Sequence, residues 1–260
     1  MGVLNVTPDS FSDGGEWFDR DAAIARGHEL VAQGADLVDL GGESTRPGAL
    51  PVDTAEELRR VVPVVEALAG QGIAVSIDTS KASVARESLR AGATYVNDVT
   101  AFRADPEMAG LVAETGCRCC LMHMLGEPRT MQESPRYDDV VSEVKAFLEE
   151  RLAAAVDHGI PEERVELDPG IGFGKTAEHN LELLRRLDEL VAIGRPIVVG
   201  TSRKSFLGRI TGRDDPHQRV FGTIATNVLA LERGASVFRV HDVAATRDAL
   251  AVAAATLRLG

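Results

Sequence analysis

Eight short runs rich in β-branched residues recur along the chain, each followed by a longer stretch with helical apolar periodicity. This alternation limits the fold more than any other feature. The runs are Gly2 to Val6, Asp36 to Leu40, Ile73 to Ile77, Thr94 to Asn97, Arg118 to His123, Val165 to Leu167, Pro196 to Gly200 and Ser236 to His241. The helical stretches are Asp19 to Gln33, Thr54 to Ala69, Lys81 to Ala91, Pro106 to Glu114, Asp138 to His158, Ala177 to Ala192, Pro216 to Arg233 and Val243 to Leu257. Strands alternating with helices form a parallel sheet with crossover connections. The repeats between Asn5 and His241 average roughly 34 residues, the pitch of an eight-fold barrel. The spacing therefore predicts an α/β fold of the (β/α)8 TIM-barrel type, one domain over residues 1–260, with a doubly wound open sheet as the alternative. Gly34, Gly70, Gly92, Gly116, Gly159, Gly194 and Gly234 follow the helical stretches, where a left-handed C-cap is expected.

Hydrophobic residues at 44% and charged residues at 26% suit a globular core, and disorder is not indicated. The formal charge of −12 opposes general binding to nucleic acid or an anionic membrane, since both require a basic face. Any anionic ligand must meet a local cluster of cations. No run approaches transmembrane length, and Met1-Gly2-Val3-Leu4 leads directly into a polar motif without a signal-peptide pattern, so a cytoplasmic location is expected. Cys117, Cys119 and Cys120 lie in one apolar run without zinc spacing and read as buried, reduced thiols.

The unusual polar residues gather at the predicted C-terminal ends of the strands: "NVTPDSFSDGG", "GGESTRPG", "IDTSK", "VNDV", "MHM", "LDPGIGFGKT", "GTSRKSFLG" and "RVHD". That end of a barrel carries the chemistry. Residues two apart on a strand share a face. If Val75, Ile77, Val96, Leu167, Phe238 and Val240 face the helices, then Asp78, Asn97, Asp168, Arg239 and His241 point into the mouth. A single strand-end Asp more often caps the next helix, but three such acceptors on one inward face indicate a ligand site. Arg239 and His241 read as anion ligands; the competing reading is an internal pair of Arg239 with Asp242 or Asp78. In "LDPGIGFGKT", Pro169 stands where a phosphate loop needs glycine, so its glycines serve a tight, close-approaching turn. "NVTPDSFSDGG" is turn-like and long enough to form a lid.

Taken in order and covering essentially the whole chain, these motifs, with "LMHM" and "PRTMQ" between them, closely resemble the dihydropteroate synthase family. The resemblance implies a barrel that joins 6-hydroxymethyl-7,8-dihydropterin pyrophosphate to p-aminobenzoate with Mg²⁺ assistance and releases pyrophosphate. It implies that Asp78, Asn97, Asp168 and Lys204 hold the pterin edge, with Met122 against the ring. A carboxylate and an amide match a pterin's donor and acceptor array. By the same resemblance, Asn5, Arg239 and His241 hold pyrophosphate, and Asn5 and Asp13 draw in the Mg²⁺. Thr45, Arg46, Pro47, Phe173, Ser202 and Lys204 would receive p-aminobenzoate, with a helix N-terminus after Ser202. The resemblance further implies that Asp78, Lys204 and Asn5 form the catalytic set, that the partners are small molecules, that sulfonamides compete with p-aminobenzoate, and that the assembly is a homodimer formed through late helices.

The departures from the family are small. The sequence starts almost at the first strand, where family members carry a short preceding segment. Phe102 stands where small residues are common, Glu166 is an unexplained inward acid, and Arg203 and the alternative surface role of Arg46 stay open. A pterin-dependent methyltransferase and a non-catalytic pterin-binding paralogue are the competing functions.

Overall fold

The computed structural model describes residues 1–6, 20–44, 49–127 and 130–257, and each of the eight runs contains a strand. They are β1 (Gly2–Asn5), β2 (Val38–Gly41), β3 (Val75–Asp78), β4 (Tyr95–Asp98), β5 (Arg118–Met122), β6 (Val165–Asp168), β7 (Val198–Val199) and β8 (Val237–Phe238). Strands β1 to β6 pair in chain order, all parallel, and β7 pairs with β8. Parallel bridges from Leu167 to Ile197 and from Gly2 to Val240 join β6 to β7 and β8 back to β1. The sheet therefore has no free edge, which excludes the open doubly wound alternative.

The helices are α1 (Arg20–Ala32), α2 (Thr54–Ala69), α3 (Ala82–Arg90), α4 (Met108–Thr115), α5 (Val140–Asp157), α6 (Ala177–Arg185), α7 (Leu187–Val191), α8 (Ser205–Thr211), α9 (Val220–Glu232) and α10 (Val243–Leu257). Two stretches differ from expectation. The one predicted over Ala177 to Ala192 breaks at Arg186, whose guanidinium is held by Asp139, Glu182 and Glu189. The one starting at Pro216 opens as a 3₁₀ turn, with Asp215 capping its N-terminus. Six of the seven glycines after helices have positive φ, but Gly70 stays helical at φ −60°. Its N–H still bonds Glu66, so the turn runs on and Gly72 takes the left-handed position instead.

Val75, Ile77, Val96, Leu167, Phe238 and Val240 all face the helices in the main core, as the alternation requires. Among the described residues no helix is long and apolar enough to cross a membrane. Inside the barrel a small layer of Tyr95, Cys120 and Val198, with Leu37 and Val237, fills the lumen. Glu166 belongs to this layer: the Tyr95 hydroxyl donates to its carboxylate at 2.7 Å, and Arg118 also donates to it. The inward acid is thus part of the barrel's polar plug. Cys119 faces the helices and Cys120 the lumen, and burial raises both thiols, whereas Cys117 is only half-buried. After β4, Ala101 and Phe102 are left-handed, at φ 53° and 63°. The Asp98 carboxylate accepts from the Thr100 and Phe102 amides, and the Phe102 ring joins the core.

Tyr95→Phe leaves a buried carboxylate short of one hydrogen bond and should cost about 1–3 kcal/mol, read as a lowered urea midpoint at unchanged slope.

Candidate active site

The register of the strands sets which side chains meet at the mouth. Asn5 is level with Gly41, Gly41 with Asp78, and Asp78 with Asn97, while Met122 is level with Asp168. Four neighbouring strands thereby present a carboxamide, a gap, a carboxylate and a second carboxamide at one height. A Cβ on Gly41 would just touch Asp78 Cβ, at 3.4 Å, so the glycine leaves room beside the carboxylate.

Arg239, reaching in from beyond β8, ties this ring together. Its Nε donates to Asp39 Oδ2 at 2.6 Å and its Nη2 to Asp78 Oδ2 at 2.7 Å. Asp39 is fully buried and also accepts from Ser76 Oγ at 2.6 Å and Asn97 Nδ2 at 3.1 Å. The sequence reading missed Asp39. Its signal was an acid in the otherwise apolar strand "VDLG", two residues before inward Gly41. For Arg239 the internal pair is present, with Asp78 and Asp39, while Asp242 pairs with another arginine.

Burial makes the ionised carboxylates costly. It raises the Asp78 carboxyl well above the usual range against the attraction of Arg239, and raises Asp168 against Lys204. Burial opposes charge on Arg239, but Asp39 and Asp78 more than offset it and hold the guanidinium protonated. Burial also lowers Lys204 to about 7, with Asp168 opposing and Arg239 reinforcing.

Asp168 accepts from the Gly170 amide at 2.6 Å and opens the turn that carries Phe173. A Cβ on Gly170 would lie 1.8 Å from the His123 carbonyl oxygen, and one on Gly174 2.4 Å from that of Leu125. The glycines are therefore needed for close approach. This turn faces Lys204, whose Nζ donates to the Ile171 carbonyl and lies 4.4 Å from the Phe173 ring centre. Phe173 also packs on an apolar wall of Val99, Met122, Met124 and Met131. A flat ring system can be held at its edge by Asp78, Asn97 and Asp168 and on its face by Met122.

Ser202 and His241 meet at the other side of the mouth. Ser202 Oγ lies 2.9 Å from His241 Nδ1 and accepts from the His241 amide at 3.1 Å. Between Ser202 and Lys204, Arg203 takes a left-handed φ of 59° and turns its guanidinium outward. Its Nε and Nη2 grip both Asp242 oxygens at 3.0 and 2.6 Å. The role left open for Arg203 is thus a clamp between the loops after β7 and β8. Helix α8 starts at Ser205, three residues after Ser202.

Asn5, Asp78, Asn97, Met122, Asp168, Phe173, Ser202, Lys204, Arg239 and His241 all come from strand ends or loops at this one face. Asp13, Thr45, Arg46 and Pro47 lie outside the described residues. Among the described residues no cluster of three or more His, Cys, Asp or Glu could hold a metal ion.

Comparison with known proteins gives the same answer along the whole chain. The pterin binding enzyme family model matches residues 1–241. The dihydropteroate synthase of Mycobacterium leprae is 51% identical over 266 residues, covering 100% of this chain and 94% of its own. The solved structure of the Xanthomonas albilineans dihydropteroate synthase with 4-aminobenzoic acid superposes with a TM-score of 0.93 at 50% identity, covering 98% of this chain and 92% of that one. The Yersinia pestis enzyme, solved in a sulfonamide drug complex, gives 0.94 at 46% identity, with 99% and 93% covered. With its closed parallel barrel, its inward acids and this likeness over nearly its entire length, the chain belongs to the dihydropteroate synthase family of pterin-binding enzymes.

Proposed function

We propose that the protein joins 6-hydroxymethyl-7,8-dihydropterin pyrophosphate to p-aminobenzoate, giving 7,8-dihydropteroate and pyrophosphate. The observation that carries this reading is the convergence of Asp78, Asn97 and Asp168 on one mouth beside Lys204 in a chain of this family. Asp78, Asn97 and Asp168 hold the pterin edge, Lys204 donates to it, and Met122 lies against the ring. Ser202 and Phe173, with Thr45, Arg46 and Pro47, receive p-aminobenzoate. The relatives solved with 4-aminobenzoic acid and with a sulfonamide support such a pocket, in which the two compounds compete.

The carbon–oxygen bond to pyrophosphate breaks with its electron pair on the leaving group, and the pterin methylene gains positive charge. Asp78, fixed by Arg239, stabilises that charge where it develops. The amine nitrogen then bonds to the methylene and loses a proton. Asn5, His241 and Arg239 receive the pyrophosphate; for Arg239 this means shifting from, or adding to, its bonds with Asp39 and Asp78. Mg²⁺ suits this donor set, because it usually takes one or two protein oxygens and completes its shell with phosphate and water. Asn5 and Asp13 would supply those oxygens, and the bound ion would neutralise charge on the departing pyrophosphate.

We extend the reading to a homodimer and a cytoplasmic location. Val228, Val252, Ala253 and Leu257 line an apolar groove between α9 and α10, and Phe221 nearby is 80% exposed. Exposed surface of this kind marks an association site. Free thiols throughout and a phosphorylated small-molecule substrate suit a reducing interior.

Purified protein with Mg²⁺ and both substrates should form dihydropteroate, and Asp78→Asn should lower kcat by about 10²–10³-fold. Pterin binding without product in the unaltered protein would refute the synthase reading. The Lys204 ammonium is lost above its value of about 7 and the Asp78 carboxylate is lost below its raised value of about 7, so kcat/KM should pass through a maximum near neutral pH with Lys204 setting the alkaline limb. Lys204→Met should remove that limb of the profile. Val252→Glu should convert the dimer to monomer, seen as a halved mass in sedimentation.

A further inference from the structure

Lys175 is the penultimate residue of the "LDPGIGFGKT" motif, is 2% exposed, and has no role in the chemistry above. A buried lysine usually either pairs with a carboxylate or loses its charge. None of the hydrogen-bond partners of Lys175 is a carboxylate. Its Nζ lies 2.9 Å from His123 Nδ1 and donates to the Phe173 carbonyl at 3.0 Å and the His123 carbonyl at 3.5 Å. Burial pushes Lys175 well below the ordinary lysine range against the attraction of Asp168, and its N–H groups face these acceptors.

His123 is shaped for the same purpose. Burial and the nearby cations Lys175 and Arg103 lower its ring to about 3, so it is neutral. Its ring stands edge-on to Phe147 at 4.8 Å. With Nδ1 accepting from Lys175, the ring proton belongs on Nε2.

The three acceptors belong to two different loops. His123 follows β5, Phe173 lies in the turn after β6, and Gly170 brings that turn against the His123 carbonyl. The Phe173 carbonyl held by Lys175 belongs to the residue whose ring lies under Lys204, two residues beyond the carbonyl that Lys204 itself bonds.

We propose that Lys175 is a positioning residue that bolts the loop after β6 to the end of β5, and thereby fixes the Phe173 ring for the aryl ring of the second substrate. The inference rests on the pocket assignment above, but its mechanical part stands apart from it. Lys175 acts through Phe173 and touches neither substrate. Its loss should therefore weaken aminobenzoate binding and leave the pterin edge, held by Asp78, Asn97 and Asp168, in place.

Lys175→Met keeps the unbranched apolar stem, one atom shorter, but removes its donors. In calorimetry, p-aminobenzoate should bind about tenfold more weakly in the presence of pterin and pyrophosphate, with pterin affinity unchanged. Hydrogen exchange across residues 170–176 should quicken about tenfold while residues 95–98 stay protected. Equal loss of both affinities, or unaltered exchange in the 170–176 segment, would overturn the proposal. If Lys175→Met does not fold, Lys175→Gln serves in its place: it keeps an NH₂ donor group but is an atom too short to span both loops, and exchange at the unaltered rate there would also overturn it. Unaltered protein that binds no aminobenzoate would instead refute the pocket assignment, with the exchange measurement still deciding the role of Lys175.

Discussion

The site depends on the placement of Arg239 between two buried acids. Asp39 and Asp78 lie on neighbouring strands inside a closed barrel, where two unpaired carboxylates would be prohibitively costly. One guanidinium forks onto both and remains charged. Ser76 and Asn97 satisfy further lone pairs of Asp39, so the group forms a fully connected network. Removing one partner of such a buried pair typically costs about 3–5 kcal/mol, because the remaining charge is stranded. In the proposed reaction the same arrangement would supply an oriented Asp78 at the mouth, fixed before any ligand arrives.

The barrel lumen is organised in levels along its axis. At the lower level Tyr95, Cys120 and Val198 fill the space, and Glu166 is satisfied by Tyr95 and Arg118. Asp39 lies in register with Ser76 and Tyr95, and Arg239 links it to Asp78, which is in register with Asn97 two residues further along each strand. Inward side chains of a barrel must interdigitate at crystal-like density, so a polar group there is tolerated only with its partner beside it.

Among the described residues, three cations gathered at this mouth in a strongly acidic chain do different work. Arg239 neutralises the barrel's own acids, Arg203 clamps the loops after β7 and β8 through Asp242, and Lys204 faces the ligand space with its charge weakened by burial. Adjacent residues on a loop part in this way because the left-handed backbone at Arg203 sends its side chain away from its neighbours. Lys175 is wholly interior, its charge opposed by burial, and is devoted to backbone carbonyls and a neutral imidazole.

The sequence by itself determined the eight strands, their faces and the end of the barrel that carries chemistry, because strand alternation and helix periodicity are local and repeat eight times. Asp78, Asn97 and Asp168 were legible for the same reason: each ends a strand whose inward face the alternation defines. Closure of the sheet was decided only in three dimensions, by the bridges of Leu167 to Ile197 and Gly2 to Val240, since an open sheet would show the same local pattern. The partners of the charges were also hidden. Arg239 meets Asp39 across 200 residues and Arg203 meets Asp242 across 39, distances over which no local spacing carries information. Coulomb attraction and desolvation act through space, so which acid claims which cation was settled by the tertiary fold.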